Sequence, residues 1–391
     1  MKFIRFILRF LLSLLISIGI VALILSFTDY SYLIKAVSST YLEGESGPTI
    51  VDHSKFENRL VKADRHRPWN MDPKMDFNLT EEEEEVLEKW ESTAFLLIKS
   101  DTIRLERYWE DFSSDSYSNS FSVAKSLVSV AIGAALQDGC IQSLDQKASE
   151  FLPELQNSEL ENITIRHLLQ MSSGVDFGES YGDPFGFMAK TYYGKELKEL
   201  TLSKQAIHPS GEVWKYQGGN TLILSFIIKE ACGKNLSEFF SEKVWTKIGA
   251  SKDALWTIAE KDGLEKAYCC FYSNARDFAR IGKLMLQDGQ WGNEQLLDTT
   301  YIKDAFKPVN LADESGEITK HYALQWWLAD FEGVGVRYAR GIQGQYIVFI
   351  PDWDVVLVRL GHKRDPEKGV KVPSDLYEYL AIAHRLYLES Q

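Results

Sequence analysis

Between Val123 and Leu136, ten of fourteen residues are apolar and the only charge is Lys125. The apolar positions run nearly all round a helix rather than along one stripe. The segment therefore predicts a helix over 122–138, buried on every side and closed by Gly139. Such a helix needs a core large enough to surround it. A chain of 391 residues, 45% hydrophobic and 25% charged, can supply one. Lys125 is the awkward residue, because burial penalises an ammonium. Either its head escapes to water, or its place beside Ser122 is the purpose. Ser122 and Lys125 stand at i and i+3 and share a helix face.

A buried lysine amine next to a hydroxyl can take its proton. At a helix N-terminus the free N–H groups and the positive dipole end favour an oxyanion. The plain alternative is a capping serine and a lysine that snorkels outward. Two further stretches favour chemistry. "HPSGEVWKYQGGN", 208–220, sets Tyr216 in a glycine-rich turn before the apolar "TLILSFIIKEA". A phenol near an ammonium can relay a proton. "RYARGIQGQYIVFIP" is a strand pattern broken by Gly341 and Gly344. Glycine there marks either close approach of a ligand or a hairpin corner.

The N-terminus places Lys2, Arg5 and Arg9 before an uncharged run of 18 residues, Phe10 to Phe27. A span of the hydrocarbon core takes about 20 residues of helix. The charge pattern predicts a cytoplasmic N-terminus and an exported, membrane-anchored domain on the periplasmic side. The alternative is a cleaved signal and a secreted protein. Residues 1–30 are thus expected to be the anchor or signal, 31–78 a tether and N-terminal arm, and 79–391 the main domain. "NLTEEEEEVLEKW" is expected to open a solvated helix capped by Thr80 and Glu83. "AFLLIK" and "IRLERYW" predict a hairpin. A helical insertion is expected over about 140–300. Three strands and an amphipathic helix, "SDLYEYLAIAHRLYLES", finish the chain. The expected fold class is α+β: an antiparallel sheet flanked by helices, built from both ends of the chain, with a mainly helical insertion.

The net charge of −13 argues against nucleic acid. No cofactor or metal is expected: the seven histidines are scattered, with no H-E-x-x-H or C-x-x-C spacing. Cys140, Cys232, Cys269 and Cys270 are not expected to form a disulfide framework, and the adjacent pair is not expected to bridge.

These stretches together resemble the β-lactamase-like, penicillin-recognising serine hydrolases. That family includes class C β-lactamases, DD-carboxypeptidases, related esterases and 6-aminohexanoate-dimer hydrolase. The resemblance runs from about Pro48 to Leu386 through "SFSVAKS", "IRHLLQMSSGV", "PSGEVWKYQGGN", "SNARDFARIGKLMLQDG" and "ARGIQGQYIVFIP". It implies an acylated Ser122, a proton-accepting Lys125 and a proton-relaying Tyr216. It implies an oxyanion hole from the N–H groups of Ser122 and Gln345, with Gly344 keeping the strand open to substrate. It further implies the family's helix-covered antiparallel sheet.

Two departures stand out. Y-x-N would need asparagine at 218, where Gly218 stands, with Asn220 two further on. K-T-G or H-x-G falls on Ile342-Gln343-Gly344, without the basic residue that helps hold a carboxylate. Both point towards the esterase and aminohexanoate-oligomer branch and a small ester, amide or peptide-like substrate. A β-lactamase or DD-carboxypeptidase proper is the alternative. So is an anchored sensor that acylates without turnover. Ile342, Gln343, Asn220, Trp214, Tyr181 and Asp183 are the expected cleft residues, with Trp326 and Trp327 as further aromatic candidates. "GESYG", 178–182, spells the nucleophile elbow, but it runs from loop into loop. Ser180 is therefore not expected to be the nucleophile.

Overall fold

"STAFLLI" is apolar at five consecutive positions, which suits a strand only when both its faces are covered. A computed structural model of the chain, describing residues 2–73, 77–366 and 371–390, shows that arrangement. The chain starts with helix α1 (Lys2–Ser26), which buries none of its residues, and a short α2 (Tyr32–Ser39). The arm then forms β1 (Asn58–Val61) and β2 (Asn70–Met71). Residues 74–76 of the expected arm lie outside the described residues. Helix α3 (Glu81–Lys89) opens on the expected capping box, Thr80 and Glu83 bonding reciprocally. The hairpin follows: β3 (Ser92–Lys99) and β4 (Thr102–Tyr108). Ser100 and Asp101 turn between them with φ of 48° and 61°, the left-handed pair that a two-residue hairpin needs.

Next come β5 (Ser118–Asn119), α4 (Val123–Asp138), α5 (Phe187–Tyr193) and α6 (Gly218–Cys232). Strands β6 (Ala254–Thr257) and β7 (Phe271–Ser273) lead to α7 (Ala275–Leu286). The chain closes with β8 (Trp327–Phe331), β9 (Val334–Gly341), β10 (Gln345–Ile350), β11 (Val355–Gly361) and α8 (Ser374–Glu389). Four C-terminal strands stand where three were expected. "RYARGIQGQYIVFIP" folds back on itself through the short turn Ile342–Gly344, so the hairpin-corner alternative holds there.

The central sheet runs β8-β9-β10-β11-β3-β4-β2. Its pairs are antiparallel, apart from β2 beside β4. The two ends of the chain meet where β11 pairs with β3, Val355 opposite Lys99 and Leu357 opposite Leu97. Alternation along each strand divides the core. Leu96, Ile98, Ile347, Phe349 and Val356 join the cluster that holds α4, α6 and α7. Phe95, Leu97, Val348 and Leu357 join the one that holds α3 and α8. Full burial of each such side chain is worth about 1.5–3 kcal/mol, an upper figure. A second sheet, β1-β6-β7-β5, braces the segment before α4.

The cysteine expectation is corrected. Cys140 is bonded to Cys232, and Cys269 to its neighbour Cys270. The first pair lies 92 residues apart in sequence, a proximity that only the side-by-side packing of α4 and α6 creates.

Candidate active site

The segment before α4 is held from two sides. Ser118 and Asn119 pair with Ser273 and Tyr272, and the Ser120 N–H donates to the Phe271 carbonyl at 2.8 Å. The Phe121 N–H donates to Asn119 Oδ1 at 2.9 Å. Phe121 itself has φ +43°, a backbone region that a bulky residue occupies only when its surroundings dictate it. Ser122 follows at the N-cap position, and its hydroxyl makes no capping bond. Among the described residues its N–H has no acceptor within the protein.

Lys125 does not snorkel. It is 1% exposed, and its Nζ lies 3.1 Å from Ser122 Oγ and 3.1 Å from the Tyr268 carbonyl. The rings of Tyr216 and Tyr268 flank the same Nζ, their centroids 5.0 and 5.6 Å away.

Tyr216 lies two residues before α6, next to its N-cap Gln217, and packs against Trp327 and Tyr322, with centroids 5.3 and 5.8 Å away. Behind it, Trp214 meets Tyr322 and His321, and His321 stacks on Trp327. Burial, and then the nearby Lys371 and Arg340, push His321 down to about 4, so its imidazole is neutral near pH 7. Trp326 turns the other way, fully buried against Phe306 and Phe349; it does not line the site.

A cleft of about 640 Å³ opens beside Tyr216. Trp214, Glu179, Ser180 and Asp183 share its wall. Tyr181 stands exposed on the loop carrying Ser180 and Asp183, its hydroxyl donating to Glu179 Oε1 at 2.6 Å. Ser180 lies in coil, without the strand–helix turn of a nucleophile elbow. A larger cavity of about 840 Å³ lies beyond His321 against β8 and β9, and among the described residues no serine, threonine or cysteine lines it.

Three expected placements change. Gly344 does not open towards a substrate: a Cβ there would fall 1.9 Å from the buried Arg359 guanidinium and 2.6 Å from the Lys363 carbonyl. That guanidinium donates to the Gly344 carbonyl at 2.8 Å, and φ at Gly344 is +82°. Gln345 faces Gly341 across the β9–β10 hairpin, and its side chain is committed to β11, with Nε2 2.7 Å from the Gly361 carbonyl. The strand glycine that meets the nucleophile segment is Gly341, where a Cβ would sit 2.4 Å from the Ser120 carbonyl. Asn220 is 1% exposed inside the first turn of α6, its Nδ2 facing Met171 Sδ and the Gln217 carbonyl. It does not line the cleft. Ile342 is half-buried in the turn after Gly341, and Gln343 ties that turn to the N-terminal arm through the Pro48 carbonyl at 2.8 Å.

Two residues at the site went unread in the sequence. Tyr268 gives its carbonyl to Lys125, and its Cβ lies 3.1 Å from where a side chain at 218 would begin. Glu179 accepts the Gly218 N–H and the Tyr181 hydroxyl. The adjacent cysteines marked the first segment and "GESYG" contained the second, but neither pattern names a role.

The Beta-lactamase family profile matches residues 81–380. A 6-aminohexanoate-dimer hydrolase of Paenarthrobacter ureafaciens is 27% identical over 307 residues, covering 73% of this chain and 76% of that protein. A Bacillus anthracis structure assigned as a 6-aminohexanoate-dimer hydrolase superposes with a TM-score of 0.71 at 21% identity, over 92% of this chain and 93% of that one. A penicillin-binding protein of Bacillus halodurans gives a TM-score of 0.60 at 18% identity, over 79% of this chain and all of that one. With the family profile spanning most of its length, the chain belongs to the Beta-lactamase family and is a serine hydrolase.

Proposed function

We propose that the chain hydrolyses a small ester or amide through an acyl-enzyme on Ser122. The observation that carries this is the Lys125 amine, buried and 3.1 Å from Ser122 Oγ, beneath the Tyr216 ring. In its free-amine form Lys125 takes the hydroxyl proton as Oγ attacks the carbonyl carbon. The tetrahedral oxyanion forms at the start of α4, where the unengaged Ser122 N–H is one donor. The second comes from the strand end at Gly341–Ile342, which touches the nucleophile segment, rather than from Gln345. Tyr216 passes the proton to the leaving group, whose departure breaks the acyl bond. A water deprotonated by the same pair then releases the acid and restores Ser122.

The departure at 218 favours esters and linear amides over β-lactams. Tyr268 fills the space that an asparagine at 218 would use. Helix α1, long and apolar enough to cross a bilayer, anchors the domain on the extracytoplasmic side.

The test uses the full chain in mild detergent. Nitrophenyl esters, linear amide oligomers and a chromogenic cephalosporin are offered to it and to Ser122→Ala. Ester or amide turnover that vanishes in the variant is expected. Equal turnover by the variant sinks the assignment, and a stable Ser122 adduct without turnover replaces it with a sensor. Strong cephalosporin hydrolysis would reverse the substrate preference.

A further inference from the structure

The rim of the cleft is joined to the N-terminal helix by direct contact. Helix α1 ends at Ser26, and tight turns follow: the Phe27, Thr28 and Ser31 amides donate to carbonyls three residues back. Tyr30 lies four residues past the end of α1. Even fully extended, that stretch spans no more than about 14 Å. The Tyr30 ring packs edge-on against Phe185 with centroids 5.9 Å apart, and the Tyr32 hydroxyl donates to the Pro184 carbonyl at 2.9 Å. Pro184 and Phe185 belong to the loop whose Ser180 and Asp183 line the cleft. Helix α2, carrying Tyr32, packs on α5 immediately after that loop.

This region shows large apolar groups to the outside. Phe27 is 83% exposed, Tyr181 61% and Phe185 57%, with Tyr30 also exposed. Isolated exposed apolar residues are ordinary, but the exposed rings of Tyr30 and Phe185 touch, and such a group marks a partner. Aromatic rings just past the end of an apolar span are the composition of a membrane–water interface. The headgroup zone is about 5–8 Å deep on each side of the hydrocarbon core, which the short connection from Ser26 to Tyr30 matches.

We propose that the cleft rim at 181–185 rests on the lipid surface into which α1 inserts, so that substrates are amphiphilic esters or amides drawn from that surface. The occupant of the aromatic patch is the bilayer itself, since Phe27 and Tyr30 follow directly on the spanning helix and Tyr30 packs on Phe185. The substrate class rests on the hydrolase proposal above, and the surface contact on α1 as anchor.

The experiment reconstitutes the full chain in phosphatidylcholine vesicles. Phe185→Cys is labelled with an environment-sensitive fluorophore; the four native cysteines are bridged. Flotation with the vesicles reports anchoring, and quenching by lipids brominated near the headgroup reports contact. Flotation with quenching is expected. Flotation without quenching overturns the contact while leaving the anchor intact, and failure to float overturns both. For the substrate, Phe185→Ser is compared with native protein on a long-chain nitrophenyl ester held in the vesicles and on a short-chain ester in detergent. A loss of about tenfold on the first alone, restored by Phe185→Leu, is expected. An equal loss on both esters, or none, overturns the amphiphile assignment. Activity of native protein on the soluble ester scores the hydrolase proposal separately.

Discussion

Among the described residues two lysines are almost completely enclosed, and their surroundings match closely. Lys125 and Lys266 are each 1% exposed. Each lies over two aromatic rings, Tyr216 and Tyr268 for the first, Phe56 and Tyr192 for the second. Each donates to a backbone carbonyl, of Tyr268 and of Tyr192. They even share a segment: Lys266 stands two residues before Tyr268. The difference is one hydroxyl. Lys125 has Ser122 Oγ within hydrogen-bond reach, beside a cleft; the hydrogen-bond partner of Lys266 is a carbonyl, which has no proton to give. Enclosure by itself gives a lysine no proton to move; the neighbour decides whether any chemistry follows.

The sharpest way to break this comparison is to exchange the two positions' fates. Lys125→Met and Ser122→Ala should each lower kcat/KM by about 10³-fold or more, whereas Lys266→Met should stay within about threefold of native. A large loss at Lys266 would mean that enclosure, not the serine, is what matters. Tyr216→Phe removes only the phenol oxygen, keeps the packing on Trp327, and should cost about 10²-fold, mainly in kcat.

The pH dependence of stability separates the pair differently. Burial, and then Lys35, bring Lys266 down from the usual 10.5 to about 7. Between those values the unfolded chain holds a proton that the folded chain lacks. Its contribution to stability therefore rises with pH across that window and is lowest below pH 7. Thermal unfolding should show Lys266→Met several degrees more stable than native at pH 6, with the gap closing by pH 10. A constant gap would refute the assignment of a neutral buried amine. The smallest effect is expected at Gly218→Asn, which restores the sequence pattern of penicillin binders but meets Tyr268 Cβ. Ester turnover should fall a few-fold with no gain on a cephalosporin, measured side by side.

How much of this was legible beforehand depends on how local each feature is. Ser122 and Lys125 lie one helical turn apart, so spacing alone placed them together. The β3–β4 hairpin and the Thr80 cap are equally local. Lys266 has no such signal: "LEKAY" reads as an ordinary polar loop, and only tertiary packing encloses it. The Tyr268 carbonyl is invisible to side-chain patterns altogether. Gly344 and Gly341 were both visible as breaks in a strand. Which of them touched the nucleophile segment depended on where the hairpin turned, and Arg359, fifteen residues on, fills the space at the wrong one. The Cys140–Cys232 bridge needed two helices to be neighbours before the cysteines could be.

That bridge has a mechanical consequence. Ser122 stands at the N-cap of helix α4 with Lys125 in its first turn, α6 starts two residues after Tyr216, and Tyr216 lines the cleft. Cys140 stands just past the end of α4, and Cys232 is the last residue of α6. The helices have 16 and 15 residues, so at 1.5 Å per residue the rivet sits roughly 22–24 Å from the chemistry. Two rods pinned at one end cannot slide along each other, and an axial slip at the far end would be needed before serine and tyrosine could change level at the near one. The covalent bond thus works as a depth stop, setting how far each rod reaches into the cleft without taking part in anything that happens there.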